Sequence, residues 1–164
     1  MTITTPNSKT FRLERSGLNI AELHFPSIWT HKAEARLASG MLEIRKEGRW
    51  ETKYSYWLNG KTRGSVQLKS LKNCVHLEID WLGDGYPTTY KFKSTSVWAS
   101  KFALMNAEEE QILTIRPRWS WRKFRHRYEL EWQQEVEGDE ATELVIYALH
   151  LTRIKLQQQA AAAG

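Results

Sequence analysis

The stretch Glu140–Lys155, EATELVIYALHLTRIK, constrains the fold of this chain more than any other. Its centre, Leu144 to Leu151, reads Leu-Val-Ile-Tyr-Ala-Leu-His-Leu, with His150 as the only polar interruption. Wound as a helix, this run is apolar on every side, so it has to be covered on every side. As a strand it would be a buried central one, and periodicity alone does not choose between the two. The flanks choose helix. Gly138-Asp139 offers a break and an N-cap, Glu140 and Glu143 fall in the first turn, and Arg153 and Lys155 fall in the last, each sign matching the helix dipole. At 1.5 Å per residue the segment is about 24 Å long, short for a bilayer core of ~30 Å. The sequence therefore predicts other elements wrapped around a helix at 140–155.

The chain has 164 residues, a length that suits one domain with a real core. Eight tryptophans among 12% aromatic residues exclude a disordered chain. A single cysteine, Cys74, excludes an intrachain disulfide and fits a reducing compartment. The first residues, MTITTPNSKTFRLERSG, lack the basic and apolar regions of a signal peptide, and no apolar run is long enough for a transmembrane helix. A cytoplasmic protein, at most peripheral to a membrane, is the expectation.

From Phe11 to about Gln134 the chain reads as strand after strand. The range 1–10 is polar, contains Pro6, and reads as a flexible N-terminus. Phe11–Leu13 and Ile20–Phe25 read as short strands, and Trp29, His31, Ala33, Ala35 and Leu37 alternate on one face. Tyr54, Tyr56 and Leu58 alternate up to Asn59-Gly60, and Thr62, Val66 and Leu68 after it, the signature of a type I′ hairpin. Val75, Leu77, Ile79 and Trp81 alternate with Cys74, His76, Glu78 and Asp80. Tyr86, Thr88, Tyr90 and Phe92 share a face, and Trp98, Phe102 and Leu104 continue the pattern. Asn106-Ala107-Glu108 is a turn, Ile112–Ile115 a strand that Pro117 interrupts, and Phe124 to Trp132 alternate strictly. Many short strands at this spacing imply a sandwich or barrel. After the helix, 157–164 is low in complexity and reads as a tail.

Three passages carry a family resemblance: the hairpin around YSYWLNGKTRG, the run VWASKFALMNAEEEQILTIRP, and the terminal ELVIYALHL. With them the chain resembles the tubby C-terminal-like superfamily, nearer its LURP-one-related and phospholipid-scramblase-like branches than tubby itself. The middle passage differs in having Glu108-Glu109-Glu110 where the family has a turn glycine. The resemblance covers about Phe11 to Leu156. It implies an antiparallel barrel of about twelve strands enclosing the C-terminal helix, and it supplies phospholipid as a partner.

No catalytic constellation stands out. The histidines His24, His31, His76, His126 and His150 show no metal-ligand spacing, so neither a metal nor a cofactor is expected. Cys74, His76, Glu78 and Asp80 line one face of a strand, but alternate strand residues are about 6.6 Å apart along the axis, too far for direct hydrogen bonding, so a solvated face is the better reading. His150 reads as a hydrogen-bonded core residue. The strongest functional feature is RPRWSWRKFRHR. Arg116, Arg118, Arg122, Lys123, Arg125 and Arg127 lie there with no acid among them, and without them the rest of the chain is close to neutral. With Trp119 and Trp121 inward, Arg118, Ser120 and Arg122 face outward. Guanidinium forks match phosphate geometry, and a charged strand face continued by Glu129 and Glu131 is the plainer alternative.

The sequence thus predicts an all-β fold with one helix, an antiparallel barrel over 11–156 enclosing the helix. A lipocalin-like ligand-binding barrel with the helix outside is the alternative. The expected function is non-enzymatic contact with anionic phospholipid or another phosphorylated partner through the basic segment. A small-molecule carrier is one alternative. Nucleic-acid binding is another, and it is disfavoured because inward tryptophans do not stack on bases.

Overall fold

The computed structural model describes residues 1–27, 30–48, 52–68, 74–96, 101–120 and 125–163. Twelve strands precede one helix: β1 (Thr2–Asn7), β2 (Thr10–Arg15), β3 (Leu18–His24), β4 (Ala33–Leu37), β5 (Gly40–Glu47), β6 (Lys53–Leu58), β7 (Lys61–Gln67), β8 (Cys74–Ile79), β9 (Thr88–Ser96), β10 (Lys101–Met105), β11 (Gln111–Ser120), β12 (Arg125–Trp132) and α1 (Gly138–Ala163). Each strand pairs antiparallel with its sequence neighbours, and β1 pairs with β12 at Ile3 and Tyr128, so the sheet closes into an up-and-down barrel. Among the described residues, closure leaves no strand without a partner on each side.

Period-two alternation sorts the side chains. Leu13, Leu23, Ala35, Leu42, Tyr56, Leu77, Phe92, Leu104 and Ile115 are buried, one inward position after another around the wall. The space they line is filled by α1, whose residues from Ala141 to Ile154 are all buried. A helix with no polar face is stable here because the barrel surrounds it. The helix lies where a lipocalin-type calyx would hold its ligand, so the alternative with the helix outside is set aside.

The turns follow their residues. Asn59 (φ 51°) and Gly60 (φ 78°) both take the left-handed conformation of a type I′ turn. Asn59 also ties neighbouring hairpins together, its Nδ2 donating to the Ser39 carbonyl (2.9 Å) and its Oδ1 accepting from the Met41 amide (3.0 Å). Glu109 takes φ 67° in the 106–110 turn, so the left-handed position is filled without glycine. The Asn106 side chain supports that turn by accepting the Glu110 amide at 2.8 Å.

Several sequence expectations are corrected. The range 1–10, read as flexible, supplies β1, which closes the barrel; alternating Ile3 into the core outweighs the polar composition. Tyr86 precedes β9 instead of sharing its inward face, and it is 84% exposed, because Gly83-Asp84-Gly85 and Pro87 hold the chain in a loop. Pro117 does not end a strand. It sits within β11, opposite Tyr128 of β12, and beyond Ile115, where the described pairing with β10 stops, so its missing amide breaks no described bond to β10. The helix begins at Gly138 and runs to Ala163, through the residues read as a tail, with exposed positions from Gln159. Trp29, Trp98, Trp121 and Phe124 lie outside the described residues.

Candidate functional site

Antiparallel pairing sorts the connections to two ends of the barrel. The β2–β3, β4–β5, β6–β7, β8–β9 and β10–β11 connections, with the segment leading into α1, share one, here the entry end. The β1–β2 turn lies at the opposite, far end, where α1 arrives: Arg153 Nη1 donates to the Ser8 carbonyl at 2.9 Å.

Charge divides the same way. In the entry-end connections the described charges are all acidic, Asp80, Asp84, Glu108, Glu109, Glu110, Glu135 and Glu137, followed by Asp139 and Glu140 in the first helical turn, and they outnumber the cations at the adjoining strand ends, Arg15, Arg36 and Lys61. At the far end, Lys9, Lys32, Lys46, Lys53 and Lys101 occupy turns and strand ends, with Arg127 and Lys93 two and three residues inside their strands; Glu34, Glu47 and, two residues inside β3, Glu22 are the acids beside them. Lys53 is paired with Glu47 at 3.1 Å.

The basic segment begins on β11 and returns on β12, at this far end. Arg118 is exposed, as its alternation requires, but its Nε lies 2.7 Å from a Glu129 oxygen. Arg116 is half-buried, with Nη2 3.6 Å from Glu131. Two of the six candidates are thus held by the acids that continue the face, and exposed pairs of this kind contribute only about 0–1 kcal/mol. Arg127 stands opposite Arg118 in the ladder and is exposed. Arg125 pairs with Ser120 through the backbone. Arg122 and Lys123 lie outside the described residues.

The row Cys74, His76, Glu78, Asp80 is a solvated strand face. His76 and Glu78 are exposed, and Asp80 turns to its own loop, accepting the amides of Gly83 (2.7 Å) and Gly85 (2.9 Å). The Gly85 amide leads the bonds that hold its carboxyl below the usual range. No group of three or more metal-ligating side chains converges among the described residues.

Inside the barrel, sequence reasoning located His150 but missed its partners and a buried ion pair. His150 Nε2 donates to the His31 carbonyl at 2.8 Å, so Nδ1 accepts from the Tyr56 hydroxyl at 3.1 Å, which fixes the neutral tautomer. Burial lowers its pKa to about 3. Nearer the entry, Arg63 Nε donates to Glu143 Oε2 at 3.0 Å, and the Tyr147 hydroxyl donates to the same oxygen at 2.7 Å. Arg63 also donates to the Asp80 and Trp81 carbonyls (3.1 and 2.6 Å). A register shift makes this possible. Tyr56 faces Gly64 and Trp57 faces Thr62, so Arg63 is the extra residue of a bulge that aims it at the helix. A side chain on Gly64 would strike the Glu78 carbonyl, so the bulge requires glycine there. The sequence signal was available: Glu143 and Tyr147, one turn apart, are polar atoms on a helix that must be buried.

No family model, curated protein or solved structure matches the chain. Among the described residues no helix is long and apolar enough to cross a membrane.

Proposed function

We propose that this barrel is a non-enzymatic cytoplasmic module that docks its far end on a phosphate-bearing surface, membrane phospholipid in the first instance. The observation that carries the reading is the separation of charge along the barrel axis, basic at the far end and acidic at the entry. A polarised surface orients the molecule as it approaches an anionic layer, and juxtamembrane basic residues contribute about 1 kcal/mol each near such a surface. The sequence resemblance to the tubby-like superfamily supports phospholipid over other polyanions. Helix filling of the interior favours a surface mode over a carrier's cavity.

The test is co-sedimentation with vesicles of neutral lipid alone and of neutral plus anionic lipid, with a DNA duplex as a parallel arm. Binding to the anionic vesicles is expected at low salt and to weaken as salt shortens screening toward ~10 Å at 0.1 M. Replacing Arg122, Lys123, Arg125 and Arg127 together by glutamine should abolish it. Replacing Arg118, already held by Glu129, should weaken it less than replacing Arg127. Absence of binding to anionic vesicles at low salt overturns the proposal, and equal affinity for the duplex replaces phospholipid with a generic polyanion.

A further inference from the structure

The entry end carries what the far end lacks. Among the described residues the exposed large hydrophobics are Leu18, Met41, Leu82 and Tyr86, and all four lie at the entry. Leu82 and Tyr86 are 86% and 84% exposed, on one rigid loop between β8 and β9. The Asp80 carboxylate gathers three of that loop's amides, those of Gly83, Asp84 and Gly85. Gly83 (φ 73°) and Gly85 (φ 84°) take backbone conformations that side chains disfavour, and Asp84 Oδ1 accepts the Tyr86 amide at 3.0 Å. A loop ordered before contact loses little entropy on docking, the setting in which apolar anchors bind best. Beside it, between the loop and the β6–β7 hairpin, runs a groove of roughly 380 Å³ lined by Asn59, Lys61, Asp80 and Trp81.

The surroundings select the occupant. Asp84, Glu108, Glu110 and Glu137, with the other acids of this end, outnumber its exposed cations Arg15, Arg36 and Lys61, so the end repels a phosphate-bearing surface and favours a cationic one. The far end of this same barrel is such a surface, with Lys32, Lys46 and Arg127 exposed. We propose that the entry end of one copy docks on the far end of another through Leu82 and Tyr86. Lysine and arginine stems cover Leu82, a cation takes the face of the Tyr86 ring, and Asp84 pairs with the remaining charge. The two ends differ, so the contact is heterologous and extends into head-to-tail chains instead of closing on a two-fold axis. This inference stands apart from phospholipid docking, and the two compete for one far end.

Sedimentation velocity on the full chain tests it without any lipid. At low salt the mass should rise above that of one chain as protein concentration increases, and return to one chain at high salt. Leu82→Ser/Tyr86→Ser should stay at one chain, and so should Lys32→Glu/Lys46→Glu/Arg127→Glu, both with unchanged thermal unfolding. An equimolar mixture of the two variants should reach the mass of two chains and stop, because each retains one working end. A wild type that stays at one chain at every concentration, either variant associating like wild type, or a mixture that fails to pair overturns the proposal.

Discussion

Toward the entry, helix α1 is held by an ion pair, Arg63 on Glu143, with Tyr147 on the same carboxylate; toward the far end it is held by a neutral imidazole, His150, between the Tyr56 hydroxyl and the His31 carbonyl. Both are polar contacts in an apolar interior, and both fix the helix's rotation and height. They differ in what each would leave behind if broken. The first can strand a charge, the second only a neutral donor or acceptor. Buried charge is the costlier orphan, so the entry contact should be the more fragile to substitution and the far contact the more sensitive to acid.

The largest expected effect comes from breaking the ion pair on the cationic side. The Glu143 side chain is 2% exposed, against 18% for Arg63. Arg63→Leu leaves that carboxylate buried without its cation and should cost about 3–5 kcal/mol in urea unfolding. Glu143→Leu should cost less, because Arg63 keeps the Asp80 and Trp81 carbonyls and stays over the Trp81 ring, 4.7 Å from its centroid. The reverse order of the two costs would show that the carboxylate is not the stranded partner.

The next effect belongs to His150. Its folded pKa, about 3, lies below the unfolded value of 6.5, with burial as the main cause. Between those values the unfolded chain binds a proton that the native core refuses, so stability is full above pH 6.5 and falls as pH drops toward 3. His31, lowered first by its burial and then by Arg153 and Lys46, adds to the fall with the same sign. His150→Phe should cost about 1–3 kcal/mol at neutral pH by orphaning the Tyr56 hydroxyl, and should flatten the loss between pH 6.5 and 4.5. Urea midpoints across that range check both; a variant with the wild-type slope would remove His150 from the account.

These two contacts mark where the sequence was legible and where it was not. Leu144–Leu151 declared its all-round burial, and Asn59-Gly60 its turn, because each signal is local: a period, a dipeptide. Inward and outward faces of β8 could be read residue by residue for the same reason. Arg63 could not. In strict alternation it joins a solvent-facing row, and only a register shift against β6, a property of two strands together, turns it to the helix. The first strand was missed because its polar composition hides Ile3, whose burial depends on a partner strand more than a hundred residues away. In the basic segment the arginines were legible, but the pairing of Arg118 with Glu129 and Arg116 with Glu131 comes from the β11–β12 register, which composition does not encode.

The smallest expected effect asks whether the two helix contacts act as one. Tyr147 and Tyr56 stand between them, ring centroids 4.6 Å apart. Each hydroxyl, however, donates away from the other, Tyr147 to Glu143 and Tyr56 to His150. The hydrogen-bond chain is therefore interrupted, and only ring packing crosses the gap. Neither Arg63→Leu nor His150→Phe removes either ring. Substitutions without a shared partner add to within about 0.3–0.5 kcal/mol. The double variant should lose the sum of the single losses within that margin, measured by urea unfolding at pH 7, where His150 is neutral and both contacts are intact. A coupling above about 1 kcal/mol would mean that the tyrosines reorient together when either end is cut, and the helix would then be held by one continuous network.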